Sequence, residues 1–158
     1  MPLRSLAACS ALALAWSACA PTPKQEPAPP AGPAAETALR TLARGDQSGL
    51  DGQRTFVARS TETWRELWKE HASPSLPAPE APAVDFTRNM IAGIVLGPRP
   101  SAGYAVEIVR IERIGERLLL HAQTTEPPPD TMQATVMTNP FHFVALPRHD
   151  GSVELRVH

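Results

Sequence analysis

The chain has 158 residues, a length that allows one domain and a non-globular tail. Its 15 basic and 16 acidic residues give a formal net charge of -1, which argues against nucleic acid or another polyanion as a partner. The 18 prolines are clustered, and these clusters divide the chain into segments.

Residues 1–18 have the pattern of an export signal. Arg4 supplies a positive charge, and residues 11–16 form an apolar run too short to span a bilayer. The following Ser17-Ala18-Cys19 resembles the lipobox of bacterial lipoproteins, which predicts lipidation of Cys19. An ordinary cleaved signal and an uncleaved anchor are the alternatives. If Cys19 is lipidated, the mature chain has no disulfide, because Cys9 leaves with the signal.

Residues 19–38 are rich in proline and alanine and offer no apolar face to bury. They predict a disordered tether between the lipid anchor and the domain. At about 3.1 Å per residue in a polyproline II conformation, its reach is on the order of 50 Å.

Residues 39–158 are long enough for one globular domain with a modest core. Gly45, Gly49 and Gly52 predict an irregular entry. The alternation in residues 54–59 predicts the first strand, with Phe56 and Ala58 on one face.

A surface helix is predicted next. Ser60 or Thr61 can cap it, and Glu62 places negative charge in its first turn. Four residues with i, i+3, i+4, i+7 spacing predict a stripe packed on the core: Trp64, Leu67, Trp68 and His71. A ligand-binding pair of tryptophans is the alternative. The proline-rich residues 73–82 end the helix.

Residues 90–96 form an almost continuous apolar run, which predicts a central strand covered on both faces. Gly93 within it predicts a bulge or the close approach of another element. A half-buried strand should then run from Tyr104 to about Arg113, turn at Gly115, and return through residues 117–124.

Prolines in residues 126–130 interrupt the strands again. Residues 141–146 predict a further strand closed by Pro147, and a turn at Asp150-Gly151 leads to a last strand over residues 152–157. The predicted fold is α+β: a single small domain, mainly an antiparallel sheet or sandwich of about six hairpin-connected strands with one packed helix.

The loop before Tyr104 is the candidate binding site. Pro98 and Pro100 restrict its backbone, and Gly103 permits a turn that few residues can make. Arg99 and Tyr104, the only tyrosine, can then offer a rigid contact surface to a protein partner. Packing of Tyr104 at the end of the sheet, with its hydroxyl bonded to nearby backbone, is the alternative.

Residues for catalysis do not form a recognisable set. The five histidines lack metal-ligand spacing, and Ser101 lacks the frame of a nucleophile elbow. His142 lies between Phe141 and Phe143 on a strand and should point away from both, as a hydrogen-bonded or solvated side chain. Asp85 and Glu107 are single carboxylates. We therefore expect no enzyme activity, no cofactor and no metal.

The order of several short motifs resembles the PrcB C-terminal domain family. They are Val84-Asp85-Phe86, the strand ending at Gly97, residues 102–108 and Asn139-Pro140-Phe141-His142, after a similar tryptophan-bearing helix. Ala102 stands where the family usually has a glycine. The family is named for a lipoprotein subunit that stabilises a secreted protease complex. The resemblance implies a non-catalytic, lipid-anchored protein that binds and stabilises an exported protease or another envelope protein.

Two other functions remain open. Pro100-Ser101-Ala102-Gly103-Tyr104 is similar in spacing to a loop of chagasin-type cysteine-protease inhibitors, although Arg99 replaces the usual asparagine. A purely structural role in the envelope is the third possibility. Ala20 follows Cys19, so the aspartate that retains lipoproteins at the inner membrane is absent. Resemblance to sorted lipoproteins therefore predicts the outer membrane of the bacterial envelope.

Overall fold

The computed structural model describes residues 39–158, so the export signal, Cys19 and the proline-rich linker lie outside the described residues. Seven strands and one helix follow in this order: β1 (Arg40–Gly45), β2 (Gln53–Ala58), α1 (Thr61–His71), β3 (Asn89–Leu96), β4 (Ala105–Ile114), β5 (Arg117–Thr125), β6 (Phe141–Pro147) and β7 (Val153–Val157). The predicted α+β class is confirmed.

Two sheets form a sandwich. The larger has the order β1-β6-β3-β2 and is antiparallel throughout, and the smaller has the order β4-β5-β7. Helix α1 packs on the outer face of the larger sheet. The larger sheet is therefore covered on both faces, and every residue of β3 after Asn89 is buried, as its apolar run predicts.

Two apolar clusters occupy the two faces of the larger sheet. The cluster between the sheets includes Met90, Ile94, Val106 and Leu120. The cluster under the helix includes Trp64, Trp68 and Phe143. The prediction that the tryptophans pack in the core is confirmed.

Helix α1 begins as its sequence predicts. Ser60 is the N-cap, and its hydroxyl accepts a hydrogen bond from the Thr63 N–H at 3.3 Å. The indole N–H groups of Trp64 and Trp68 donate to the carbonyls of Pro82 and Pro79, at 3.0 and 2.7 Å. These two bonds fasten the proline-rich connector to the helix.

The prediction for Gly93 is confirmed as a close approach. A Cβ atom at this position would collide with the Phe56 ring and lie 2.8 Å from Phe143 Cδ1. The register of β3 with both neighbours runs through Gly93 without a shift, so the alternative of a bulge is wrong.

Three sequence predictions are corrected. Residues 40–45, assigned to an irregular entry, form strand β1, because their backbone pairs with β6. Strand β7 does not form a hairpin with β6 after Asp150-Gly151, since it crosses to the smaller sheet and pairs in parallel with β5. Tyr104 is not a strand residue, because it lies one position before β4.

Candidate protein-binding surface

The loop of residues 97–104 joins β3 in the larger sheet to β4 in the smaller sheet. Gly97 has a φ of 77°, and a Cβ atom there would lie 2.9 Å from the Gln53 N atom. Glycine is therefore needed at the start of the loop, both for the backbone angle and for the close approach of the chain before β2.

The segment of residues 126–139 holds this loop in place; together the two are called the double loop. Arg99 and Thr138 exchange backbone hydrogen bonds of 2.7 and 2.9 Å. The Ala102 N–H donates to the Ala134 carbonyl at 3.1 Å, and Thr138 Oγ1 donates to the Ser101 carbonyl at 3.0 Å. The loop is thus fixed by a second segment in addition to its prolines.

The double loop is also joined to the chain between β1 and β2. Asn139 Nδ2 donates to the carbonyls of Ser48 and Leu50, both at 2.8 Å, and its backbone N–H donates to the Asp46 carbonyl at 2.7 Å. Gln47 Nε2 donates to the Met137 carbonyl at 3.1 Å. These bonds give the surface a rigid base.

Gly103 adopts the conformation that the sequence predicts for it. Its φ is 95°, a region that L side chains rarely adopt, and a Cβ atom there would lie 2.8 Å from Pro127 Cβ. Gly103 therefore lets the chain turn toward β4 while the 126–139 segment packs closely against it.

Tyr104 and Arg99 contact each other at the end of this loop. The Arg99 guanidinium carbon lies 5.7 Å from the centroid of the half-buried Tyr104 ring, within the range of a cation–π interaction. Among residues 39–158, no hydrogen bond of the Tyr104 hydroxyl is found. The geometry therefore lacks the hydroxyl-to-backbone bond that purely structural packing of this tyrosine predicts.

Exposed apolar side chains on the 126–139 segment extend this surface. The exposed fractions are 102% for Met132, 46% for Val136 and 62% for Met137. The sequence analysis treated this segment as a break between strands and missed them. The sequence does contain an indication of this surface. Three apolar residues lie in a stretch bounded by prolines, where no strand or helix could bury them. Exposed methionines are adaptable contacts in protein interfaces.

A groove lies beside Tyr104, between one end of β1 and the start of β4; we call it the β4 groove. Its volume is ≈ 430 Å³, and its lining includes Arg44, Asp46, Tyr104, Val106 and Glu107. Arg44 Nη1 and Glu107 Oε1 lie 2.8 Å apart, so Glu107 has a partner that its sequence context does not reveal. This ion pair links the two sheets across the groove.

His142 lies beneath the groove and is 1% exposed. The Ile108 N–H donates to His142 Nδ1 at 2.8 Å, which leaves the ring proton on Nε2, 3.0 Å from Thr41 Oγ1. Burial lowers the pKa of His142, an effect that the nearby Glu107 opposes. The prediction of a hydrogen-bonded histidine pointing away from Phe141 and Phe143 is confirmed.

His71 is a second buried histidine, on the opposite face of the larger sheet. It packs against Phe141 and Phe143, with ring centroids 4.3 and 4.8 Å away, and its Nδ1 lies 3.0 Å from Ser48 Oγ. Burial lowers the pKa of His71 to about 4. Both imidazoles are therefore neutral at pH 7 and act as structural groups.

Within residues 39–158, no cluster of three or more His, Cys, Asp or Glu side chains is arranged to hold a metal ion. In the same part of the chain, no helix is long and apolar enough to cross a membrane. The predicted lipidation site, Cys19, lies outside the described residues.

The comparison with protein families bears on the central half of the domain, from β3 through the double loop to β6. The model of the PrcB C-terminal family matches residues 90–147. This match confirms the resemblance for residues 90–147, which include every candidate contact residue of the double loop. The Val84-Asp85-Phe86 motif and the tryptophan-bearing helix lie outside the match. No curated protein and no solved structure gives a significant match.

Proposed function

We propose that this protein is a non-catalytic, lipid-anchored protein of the bacterial envelope that binds and stabilises an exported partner. The name of the PrcB family suggests that this partner is a protease complex. Cys19 would carry the acyl anchor, and residues 19–38 would hold the domain away from the outer membrane. The family match supports the class of partner, since it spans the segment that contains the double loop.

The observation that carries the proposal is the rigid presentation of exposed apolar side chains by the double loop. A segment without helix or strand ordinarily turns such side chains inward or leaves them mobile. Here Arg99 and Thr138 hold the loop through two backbone hydrogen bonds, while Val136 and Met137, which immediately precede Thr138, stay exposed. A prearranged surface loses less conformational entropy when a partner binds.

The contact residues on the proposed surface are Pro98, Arg99, Pro100, Gly103 and Tyr104, extended by Val136 and Met137. The prolines and Gly103 set the shape of the loop. Tyr104 and Arg99 belong to the residue types that dominate binding energy at interfaces. The exposed methionine adds an apolar contact that can adapt to the partner.

The partner is tested by affinity purification of the full chain from envelopes of its own host after mild crosslinking. We expect an exported protease, or a subunit of its complex, to co-purify with the wild type and not with Met137→Lys. Leu76→Lys is the matched control, since Leu76 is 97% exposed but lies on the connector after α1. Deletion of the gene should lower the abundance of the same protease. Unchanged protease levels together with no co-purified protein would refute the proposal.

The anchor is tested separately with Cys19→Ser. We expect the wild-type chain to incorporate a fatty-acid label and to sediment with outer membranes, and the variant to do neither. Equal labelling of the two chains would show that Cys19 is not the lipidated residue. An inhibition assay against papain-like proteases distinguishes the chagasin-like alternative, because a stabilising subunit should leave them fully active at micromolar concentration.

A further inference from the structure

The two sheets of the sandwich contain different numbers of strands, and the difference leaves part of β1 uncovered. Strand β4 approaches β6 and β3, whereas residues of β7 and β2 line a common pocket at the opposite side of the sandwich. On the inner face of β1, Thr41 and Arg44 are exposed, although their partners on β6, Val144 and His142, are buried. Within residues 39–158, the smaller sheet therefore has no strand above β1.

The outer edge of β4 has backbone groups directed toward this empty position. The Ile108 N–H points away from β5, because it donates to His142 Nδ1. Backbone groups alternate in direction along a strand, so the N–H and C=O of Val106 point to the same side as those of Ile108. Among the described residues, neither group of Val106 bonds to another element. The residue is only 2% exposed, so a partner strand must displace the neighbouring Arg44–Glu107 pair to reach it. The register shift between Ile108 and Arg110 ends this free edge.

The β4 groove is the space beside this edge. Its volume of ≈ 430 Å³ lies between residues 44–46 and residues 104–107. The Arg44–Glu107 ion pair is the side-chain contact across it, and the two side chains are 53% and 52% exposed. Ion pairs as exposed as this contribute little to stability, so an incoming backbone can displace it. Charged side chains at a sheet edge also discourage unspecific pairing.

We propose that an extended segment of the protein partner binds in the β4 groove as a fourth strand of the smaller sheet, hydrogen-bonded to Val106 and lying above β1. This inference rests on the proposed function, which supplies the partner. The segment must be free of proline where it donates to Val106, because proline has no N–H. Main-chain bonds supply the affinity in this mode of recognition, and the Tyr104 ring at the end of the groove adds a side-chain contact.

Two other occupants fit less well. A second copy of this chain, paired edge to edge at β4, would bring the larger sheet under its own β4 into the position already taken by β1. The linker of the same chain ends at β1, and its proline-free part, residues 34–38, spans at most about 18 Å. The residues before it, 27–33, include four prolines, which lack the N–H that would pair with Val106.

Site-specific photo-crosslinking in the host tests the inference. We would place p-benzoylphenylalanine at Asp46, which lines the groove, at Met137 on the double loop, and at Lys69 on α1 as the matched control, in the full chain. All three side chains are exposed, so folding should be unaffected. We expect Asp46 and Met137 to crosslink to the same partner, Asp46 to one extended stretch of it, and Lys69 to give no crosslink.

The outcomes separate the two proposals. Crosslinks from Met137 without any from Asp46 would overturn strand addition and leave the proposed function standing. Crosslinks from Asp46 to residues 20–38, or to a second copy of this chain, would also overturn it by naming another occupant. Absence of crosslinks at both positions would refute both proposals.

Amide hydrogen exchange gives an independent measurement. In the full chain alone, the Val106 amide should exchange faster than those of Ala105 and Glu107, which face β5. In the crosslinked complex, the Val106 amide should slow by roughly tenfold or more, since it gains a hydrogen bond. A Val106 amide that is already protected in the isolated chain, or that does not slow in the complex, would overturn the inference.

Discussion

The backbone N–H of Ile108 donates a 2.8 Å hydrogen bond to His142 Nδ1. A side chain of the larger sheet therefore accepts the hydrogen bond of a backbone donor at the edge of the smaller sheet. The same ring contacts Thr41 on β1 through Nε2. His142 thus fixes the position of β4 relative to β6 and β1, at the side where the β4 groove opens.

Replacement of His142 tests this link. His142→Phe would leave the buried Ile108 N–H without an acceptor and should lower the free energy of unfolding by about 1–3 kcal/mol. His142→Asn should lower it less, because the amide oxygen can take the place of Nδ1 as acceptor. Urea unfolding of the two variants measures the difference. Equal losses would show that packing, and not this hydrogen bond, is what His142 contributes.

Mild acid should destabilise the fold through its buried histidines. The pKa of His71 is about 4 in the folded chain and near 6.5 when unfolded, so the unfolded state binds the proton first. Stability is therefore full above pH 6.5 and is lost as the pH falls toward 4. Between pH 7 and pH 5 the loss should be on the order of 1–2 kcal/mol. The lowered pKa of His142 acts in the same direction.

Thermal unfolding at pH 7, 6 and 5 measures this loss. The range from pH 7 to pH 5 lies above the pKa values of Glu62 and Asp85, which are lowered from their ordinary values of 4.5 and 3.8. These carboxylates therefore reduce stability only when the pH falls below this range. His71→Phe should unfold with a flatter pH dependence than the wild type. An unchanged slope in this variant would assign the pH dependence to other groups.

Gly93→Ala should be among the most destabilising single-methyl additions in the domain. The new Cβ would meet the Phe56 ring and lie 2.8 Å from Phe143 Cδ1, inside a sheet that is covered on both faces. We expect a loss of about 1–3 kcal/mol. Gly52→Ala is the control, since its Cβ would meet nothing within 4 Å and only its φ of +66° opposes the change. A smaller loss for Gly93 than for Gly52 would contradict the packing argument.

The Arg99–Tyr104 contact is expected to serve binding more than folding. Tyr104→Ala should abolish or strongly reduce partner recovery, and Tyr104→Phe should retain it, since no hydrogen bond of the hydroxyl is found within the described residues. Arg99→Ala should change the free energy of unfolding by under about 1 kcal/mol, as expected for a cation–π pair that is partly exposed to solvent. Partner recovery and the melting temperature are measured on the same preparations. Full recovery with a lower melting temperature would assign Tyr104 to packing.

Several elements could be predicted from the sequence because their signals are local. The stripe of Trp64, Leu67, Trp68 and His71 needs only helical periodicity, and the cap at Ser60 depends on its nearest neighbours. The hairpin at Gly115 is predicted from a glycine between two strand patterns, and Gly115 has a positive φ of 61° in the structure. The burial of β3 follows from a run of apolar residues that has no polar face.

Strand β1 could not be predicted in this way. Residues 40–45 carry two arginines and a glycine, and they become a strand because β6 supplies hydrogen-bond partners from about a hundred residues away. The parallel pairing of β7 with β5 is of the same kind, since a local turn signal at Asp150-Gly151 carries no information about which sheet receives the next strand.

The sequence by itself determined the helix and the apolar faces of most strands, and it predicted the family whose model matches residues 90–147. It also named Gly103 and Tyr104 as the centre of the candidate loop. The tertiary structure decided what surrounds them: the 126–139 segment that pins the loop, the exposed Met137, and the groove between β1 and β4. The reason is physical, because periodicity reports which face of an element is buried, whereas contacts between distant segments arise only when two sheets are packed together.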